Sequence, residues 1–527
     1  MRTLTGTCAV AVSFFAVSGG DCETLMHEQD DAGVSERKEF MVLSDSGIGF
    51  MSAIELAGRI RGKELSAVEA VSDTLRRMDL LDPHLHAFCT RADESALREA
   101  RRVDDAIARG EDVGPLAGVP VGIKDLVATK GIRTVLGSFA YEHFVPDEDD
   151  IVVERLRDAD AIVLGKTNVS ELGYGAVSHN PVFETTCNPW DTAKTPGGSS
   201  AGSAAAVASG LGPFAIGSDG GGSIRIPASF CGLYGMKPSM GRVPLYPGCR
   251  DERYPGVSSW ENLEHLGPLS RTVADAALML SVIAGPDRRD RHSIPTDDIE
   301  WQDAVHAADL RGLRVAFSPD LGYVSVDPEV AQIVRSAVRV FESLGCEVTE
   351  ANPGWEDPGD AFPALVAQDS DLRGMRQMAT RVGRGRMSRY LVDLIDREWT
   401  AEEFTDARTV RKAIYNRMWR FMRDYDVLVT PTLAVAPFGV HADGPEPTAG
   451  RAASPRGWLS FVSPMNMTGQ PAATVPAGWT NDGLPVGLQI VGHHLDDRTV
   501  LRASAAFETA QPWAQNQPPL LSKLGLQ

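Results

Sequence analysis

Two short segments, Ser52-Ala53-Ile54-Glu55 and Ser66-Ala67-Val68-Glu69, each set a hydroxyl residue three positions before a glutamate. That spacing satisfies free N–H groups in a first helical turn, so both predict helix starts. The second leads Val68, Val71, Leu75 and Met78, a helical repeat expected to stop near Asp82-Pro83, where proline lacks the N–H needed to continue. A third helix is predicted from about Glu94 to Gly110, closed by glycine. The period then changes. Residues 119 to 124 and 161 to 164 are short apolar runs that predict buried strands, separated by a helix through 152 to 156. The acidic run Asp147-Glu148-Asp149-Asp150 suits the N-terminus of that helix, where the backbone dipole favours negative charge. Further along, residues 313 to 317 predict a strand, 328 to 344 an amphipathic helix, and 364 to 425 a polar, Arg-rich helical stretch. Residues 437 to 457 read as a mobile surface loop, 484 to 491 as a strand, and 498 to 509 as a closing helix. Helices alternating with short apolar strands predict an α/β layered fold.

Length and composition narrow the function. The chain has 527 residues, 43% apolar and 23% charged, with 51 Gly and 33 Pro, which excludes disordered, collagen-like and coiled-coil classes. The net charge is −20, and nine of the 51 basic residues are lysine, so a phosphate-backbone footprint and a nucleic-acid partner are not expected. Seven cysteines, odd in number and never spaced CxxC, read as reduced thiols. No stretch reaches the roughly 18 to 20 apolar residues of a spanning helix, so no membrane insertion is expected. The segment 8 to 17 (CAVAVSFFAV) reads either as a weak signal-peptide core, implying secretion, or as an upstream extension before Met41 or Met51, implying a cytoplasmic enzyme. The expected organisation is an extension over 1–45 and one domain over 46–520, with a variable cap-like helical region at about 364–425.

Several candidate motifs fail on their context. Gly165-Lys166-Thr167 ends like a phosphate-binding loop, but Asp160 stands where its first glycine belongs. Gly198-Ser199-Ser200-Ala201-Gly202 matches GxSxG, with Ser200 as nucleophile and His493-His494 as a base, yet no buried strand precedes it. No HExxH pairs the histidines for zinc. What remains is residues 194 to 243, dense in Gly and Ser yet threaded with an Ala-rich run and the strand-like PFAIG, hence packed and not a linker. Within it, Asp219-Gly220-Gly221-Gly222-Ser223 can curl several N–H groups into one small volume, the arrangement an oxyanion needs. With no histidine partner evident, the base is sought among the lysines.

Lys124 in GIKD, Ser199 in GGSSAGSA and Ser223 in SDGGGSIRIPASFCGLYGMKP are separated by 75 and 24 positions. Together with LAGVPVGIKD, VLGKTNVSELG, NPWD, GPLSRTVAD, VLVTPT, NMTGQPA and LPVGLQIVG, this pattern resembles the amidase signature family from about residue 52 to 515. Residues 1 to 45, 245 to 262 and 370 to 400 fall outside it. The resemblance implies an α/β/α sandwich, a large mixed central sheet covered by helices on both faces. It also implies that Ser223 is the nucleophile and that Ser199, after a cis Gly198–Ser199 peptide, bridges it to Lys124. Lys124 serves as the base once burial lowers its pKa. The N–H groups of Gly220, Gly221, Gly222 and Ser223 form the oxyanion hole, while Asp219 and Arg225 hold the loop in shape. Relatives often carry a bulkier residue in this loop where the present chain has glycine.

The implied reaction is hydrolysis of a linear amide through an acyl-enzyme, with no metal or cofactor. The chain looks most like bacterial enzymes acting on aryl or alkyl amides and sometimes carbamates (urethanes). Leu172, Gly173, Tyr174 and Gly175 are the expected substrate pocket, and a homodimer is the family's default. The alternative is the glutamine-hydrolysing component of a tRNA-dependent amidotransferase. Free-standing hydrolysis is favoured by the NMTGQPA wording, the insertion at 370 to 400 and the acidic charge. An inactive scaffold is disfavoured because Lys124, Ser199 and Ser223 are all present.

Overall fold

The computed structural model describes residues 47–248, 260–296, 299–306, 309–446 and 456–526. The extension at 1–45 and the centre of the predicted loop at 437–457 lie outside these residues. Helices Ala53–Arg61 and Ala67–Leu85 start on Ser52 and Ser66, whose hydroxyls accept the N–H groups of Glu55 and Glu69 at 3.1 Å. Only the second closes a full capping box, Glu69 accepting the Ser66 N–H at 2.8 Å. That helix continues through Pro83 to Leu85, past its predicted stop. The Asp82 carboxylate accepts the N–H groups of Ala87 (2.6 Å) and Phe88 (3.2 Å), closing the helix end beyond the proline.

Eleven strands form one mixed sheet: β1 Phe88–Arg91, β2 Pro120–Lys124, β3 Ile162–Thr167, β4 Phe214–Ser218, β5 Tyr234–Lys237, β6 Leu266–Ser270, β7 Arg314–Phe317, β8 Glu347–Glu350, β9 Val427–Pro431, β10 Ala472–Trp479 and β11 Pro485–Val491. Their order is β1-β3-β2-β4-β6-β5-β10-β11-β9-β7-β8. β2 is parallel to both β3 and β4, and β7 to both β8 and β9. The remaining pairs are antiparallel. Every residue of β2 to β6, β9 and β11 is buried. Since strand side chains alternate between faces, both faces of the sheet are covered.

The predicted helical stretch at 364–425 is four helices, Ala361–Gln368, Leu372–Val382, Arg389–Asp396 and Ala401–Phe421. They share a core with Leu172, Tyr174, Ile226, Phe461 and Val462. The described start of the predicted mobile loop is docked. Thr195 donates its N–H to Phe438 O at 2.8 Å, Gly439 bridges Lys194, and the Phe438 ring meets Trp458 edge-on at 5.1 Å. That aromatic seat holds in place a segment whose Gly and Pro content suggested mobility.

Candidate active site

β2 and β4 run parallel in adjacent register, Val121 beside Phe214 and Ile123 beside Ile216, so Lys124 ends its strand next to the Gly217-Ser218 end of β4. The carboxyl ends of parallel strands are where open α/β sheets leave room for ligands. Here the helix Ala201–Ala208 and the loop 219–224 converge on that edge. Lys124 is fully buried, and its Nζ lies 2.7 Å from Ser199 Oγ, 2.8 Å from Ser218 Oγ and 3.1 Å from Ser218 O. Burial draws its pKa down to about 8, against the opposing charges of Glu264 and Asp219. The Gly198–Ser199 peptide is cis, and a Cβ on Gly198 would overlap the Val177 backbone. Asp125, the carboxylate next in sequence, is turned away: it accepts the Val135 N–H at 3.1 Å, and burial raises its pKa to about 6.

The loop after β4 is fixed from behind. The Asp219 carboxylate receives Arg225 Nε and Nη2, each at 2.9 Å, in a fully buried pair. Asn466 donates to Asp219 O (2.7 Å) and Oδ1 (2.8 Å), while Arg225 also reaches Asn466 Oδ1 and Gln489 Oε1 at 2.7 Å. Burial alone would raise the Asp219 pKa, but the Arg225 charge and hydrogen bonds hold it well below the usual carboxylate range. His265 packs on the same residue. Its Nδ1–H points at Leu263 O (2.7 Å) and Asp219 O (3.1 Å), leaving Nε2 to accept from Lys237 at 3.3 Å. Burial and the neighbouring Lys237 keep that imidazole neutral.

Gly222 has φ +117°, and a Cβ there would lie 2.5 Å from Val462 Cγ2. Its N–H donates to Asp219 Oδ1 at 2.7 Å. This removes Gly222 from the expected set of free oxyanion donors, because the carboxylate that shapes the loop already accepts its N–H. The N–H groups of Gly220, Gly221 and Ser223 meet no acceptor among the described residues.

A cleft opens over this edge, with about 570 Å³ of space inside and at its open mouth. Its polar floor is Ser199, Ser218, Gly220 and Ser223, with the carboxylates of Asp150 and Glu264 beside it. Leu126, Val127, Leu172, Leu245, Trp260 and Leu266 supply apolar walls. The structure therefore brings Lys124, Ser199, Gly220 and Ser223 together at one cleft. Of the expected pocket residues, Leu172 and Gly173 line the cleft and Tyr174 and Gly175 do not. Positive φ at Leu172 (51°) and Gly173 (78°) turns the chain, so Tyr174 is buried with its hydroxyl on Ser370 while the Gly175 carbonyl accepts from Ser170 at 3.0 Å.

The rejected motifs have structural uses. Ser200 is buried and joins the end of β4 to the loop after it, its N–H on Ser223 O and its Oγ on the Ser218 backbone, both at 3.3 Å. His493 contacts Tyr425 O, remote in sequence from that serine. Lys166 donates to Val127 O and Thr129 Oγ1. Sequence reasoning missed Ser218, Trp260, Glu264, Asn466 and Gln489. Asn466 and Gln489 sit within the NMTGQPA and LPVGLQIVG patches, so a signal for them existed; Trp260 carried none.

A family model described as Amidase matches residues 69–501. An acylamidase of Rhodococcus erythropolis is 39% identical over 490 residues, covering 90% of this chain and 98% of that protein. The glutamyl-tRNA(Gln) amidotransferase A-type chain of Moorella thermoacetica is 37% identical over 497 residues, covering 89% and 99%. Among solved structures, a bacterial aryl acylamidase of the amidase signature enzymes aligns with a TM-score of 0.83 at 32% identity, covering 91% of this chain and 99% of that one.

Proposed function

The chain belongs to the amidase signature family, and from that premise we propose that it is a free-standing serine amidase cleaving aryl and alkyl amides, with carbamates in reach of the same chemistry. The observation that carries this reading is Lys124, fully buried, with a pKa of about 8 and 2.7 Å from Ser199 at the foot of a cleft that also exposes Ser223. A neutral amine has two N–H groups and one lone pair. Ser218 O and Ser218 Oγ accept the two N–H groups, which leaves the lone pair for the Ser199 hydroxyl proton. Ser199 in turn relieves Ser223 of its proton as Ser223 Oγ attacks the carbonyl carbon.

The developing oxyanion is met by the N–H groups of Gly220, Gly221 and Ser223, each worth about 3 kcal/mol in a preorganised site. Protonated Lys124 returns the proton through Ser199 to the leaving nitrogen, and the C–N bond breaks. Water then attacks the Ser223 ester by the same route and releases the carboxylate. Asp219 and Arg225 act from behind, holding the loop.

A second reading, the glutamine-hydrolysing component of a tRNA-dependent amidotransferase, is favoured by the Moorella relative. Glutamine needs a cation for its α-carboxylate, and among the described lining residues the ionisable groups are the carboxyls of Asp150 and Glu264. Carboxylates and apolar walls suit a neutral amide better. Reduced thiols at Cys89, Cys187, Cys231 and Cys346 go with a cytoplasmic enzyme. The test is turnover of a 4-nitroanilide, an aryl carbamate, an aliphatic amide and glutamine by the purified chain and by Ser223→Ala. Anilide turnover lost in the variant supports the first reading; glutamine turnover only with added partner chains supports the second.

A further inference from the structure

The wall of the cleft is as constrained as its floor. Trp260 has φ +23° and Leu172 φ +51°, backbone conformations that bulky side chains rarely adopt. Such residues persist only where surrounding structure holds them, and they concentrate at functional sites. At Trp260 the holding is visible: its carbonyl accepts the N–H groups of both Leu263 (2.8 Å) and Glu264 (2.7 Å). Two residues on, Asn262 is clamped to the cap helices. Its N–H and Nδ2 donate to Asp369 at 3.1 and 3.0 Å, and its carbonyl accepts from Arg411 at 2.9 Å.

The indole is held edge-on by two other rings. Tyr174 meets it edge-on at 5.1 Å, and Phe362 of the helix Ala361–Gln368 does so at 6.4 Å. The Trp260 and Phe362 rings also press on the loop that carries the free N–H groups. A Cβ on Gly220 would overlap the Trp260 ring, and one on Gly221 would lie 2.6 Å from Phe362 Cζ. Gly220 and Gly221 thus leave room for an aromatic wall against the oxyanion loop, space that a side chain on that loop would otherwise fill. Both Trp260 and Leu172 face the cleft that holds Ser223.

We propose that Trp260 and Leu172 form a slot that holds an aromatic ring of the substrate beside Ser223, making Trp260 the residue that selects aryl amides over alkyl amides of equal size. The proposal rests on the amide-hydrolase reading and adds the group it selects. An indole face offers a ring offset or edge-to-face contact that a saturated ring of the same shape cannot reproduce, and such contacts are worth about 2- to 10-fold in binding.

The probes are acetanilide and N-cyclohexylacetamide, which differ only in the saturation of the ring. Because intrinsic reactivities differ, the reading is the ratio of variant to parent kcat/KM for each. Trp260→Leu in the full chain should lower acetanilide turnover by about 10-fold and the cyclohexyl amide by less than about 2-fold, with Trp260→Phe recovering most of the loss. Phe362→Leu, which removes the support behind the indole, should give a smaller loss with the same preference, and it serves where Trp260→Leu does not fold. Equal losses on both amides, or none, overturn the slot while leaving the hydrolase intact. Calorimetry on Ser223→Ala separates the two ideas: if the parent cleaves neither amide yet acetanilide binding still depends on Trp260, the slot stands and the hydrolase reading falls.

Discussion

The floor and the wall of the cleft are built by opposite means. At and behind the floor, buried polar groups are tied by hydrogen bonds of 2.7 to 3.1 Å, Lys124 to Ser199 and Ser218, and Arg225 to Asp219. On the wall, Trp260, Leu172 and Phe362 meet through apolar surface, and their polar ties are made at the backbone and at Asn262. A satisfied buried network fails sharply when one member is lost, because its partner is left without a hydrogen bond. An apolar wall degrades gradually, in proportion to the contact removed. Chemistry should therefore be brittle in this molecule and selectivity adjustable.

Substitutions on the floor give the largest expected effects. Lys124→Ala should lower kcat by at least about 10³-fold, as for one member of a coupled relay. The parent's pH profile should show why. With the base protonated below its pKa of about 8, kcat/KM should rise about tenfold per pH unit up to that point and level off above it, and the variant should lose that dependence. Asp219→Asn uncouples the buried Arg225 and should cost about 3 to 5 kcal/mol in urea unfolding. Ser218→Ala leaves one of the two Lys124 N–H groups without its acceptor. It should lower kcat by about 10- to 100-fold with KM little changed, whereas a comparable rise in KM would place Ser218 in substrate binding.

At the junction of floor and wall, the smallest change is expected from Gly221→Ala. Its methyl displaces Phe362, so kcat/KM for an aryl amide should fall by about 10-fold or less, and Phe362→Leu in the same chain should recover part of it. Failure of that recovery would make the floor and wall independent.

The same contrast explains what the sequence revealed. Lys124, Ser199 and Ser223 were legible through the family resemblance, because each sits in a short local motif of that pattern. β2, β3 and β4 were legible from short, mainly apolar runs, the mark of strands buried on both faces. β6 was not, since Pro268 breaks the pattern. It is tolerated because β5 pairs only with Leu269 and Ser270, leaving the proline outside that ladder. β10 was hidden in the same way by Pro476, which the structure accommodates at a register shift before Gly478. Gly222 was misjudged because the competing acceptor, the Asp219 carboxylate, turns back on the loop only once Arg225 and Asn466 have fixed it. Trp260 and Phe362 lie 102 positions apart and are joined only by tertiary contact, so no local pattern announces them.

The most direct test is to trap the covalent intermediate. The purified chain is mixed with an activated aryl carbamate, whose carbamoyl-enzyme is slow to hydrolyse, and the modified residue is located by peptide mass spectrometry. The expected result is one carbamoyl group per chain, carried by Ser223 and formed at least about 10³-fold more slowly in Lys124→Ala. Modification of Ser199 or Ser200 instead, or an equal rate without Lys124, would contradict the mechanism.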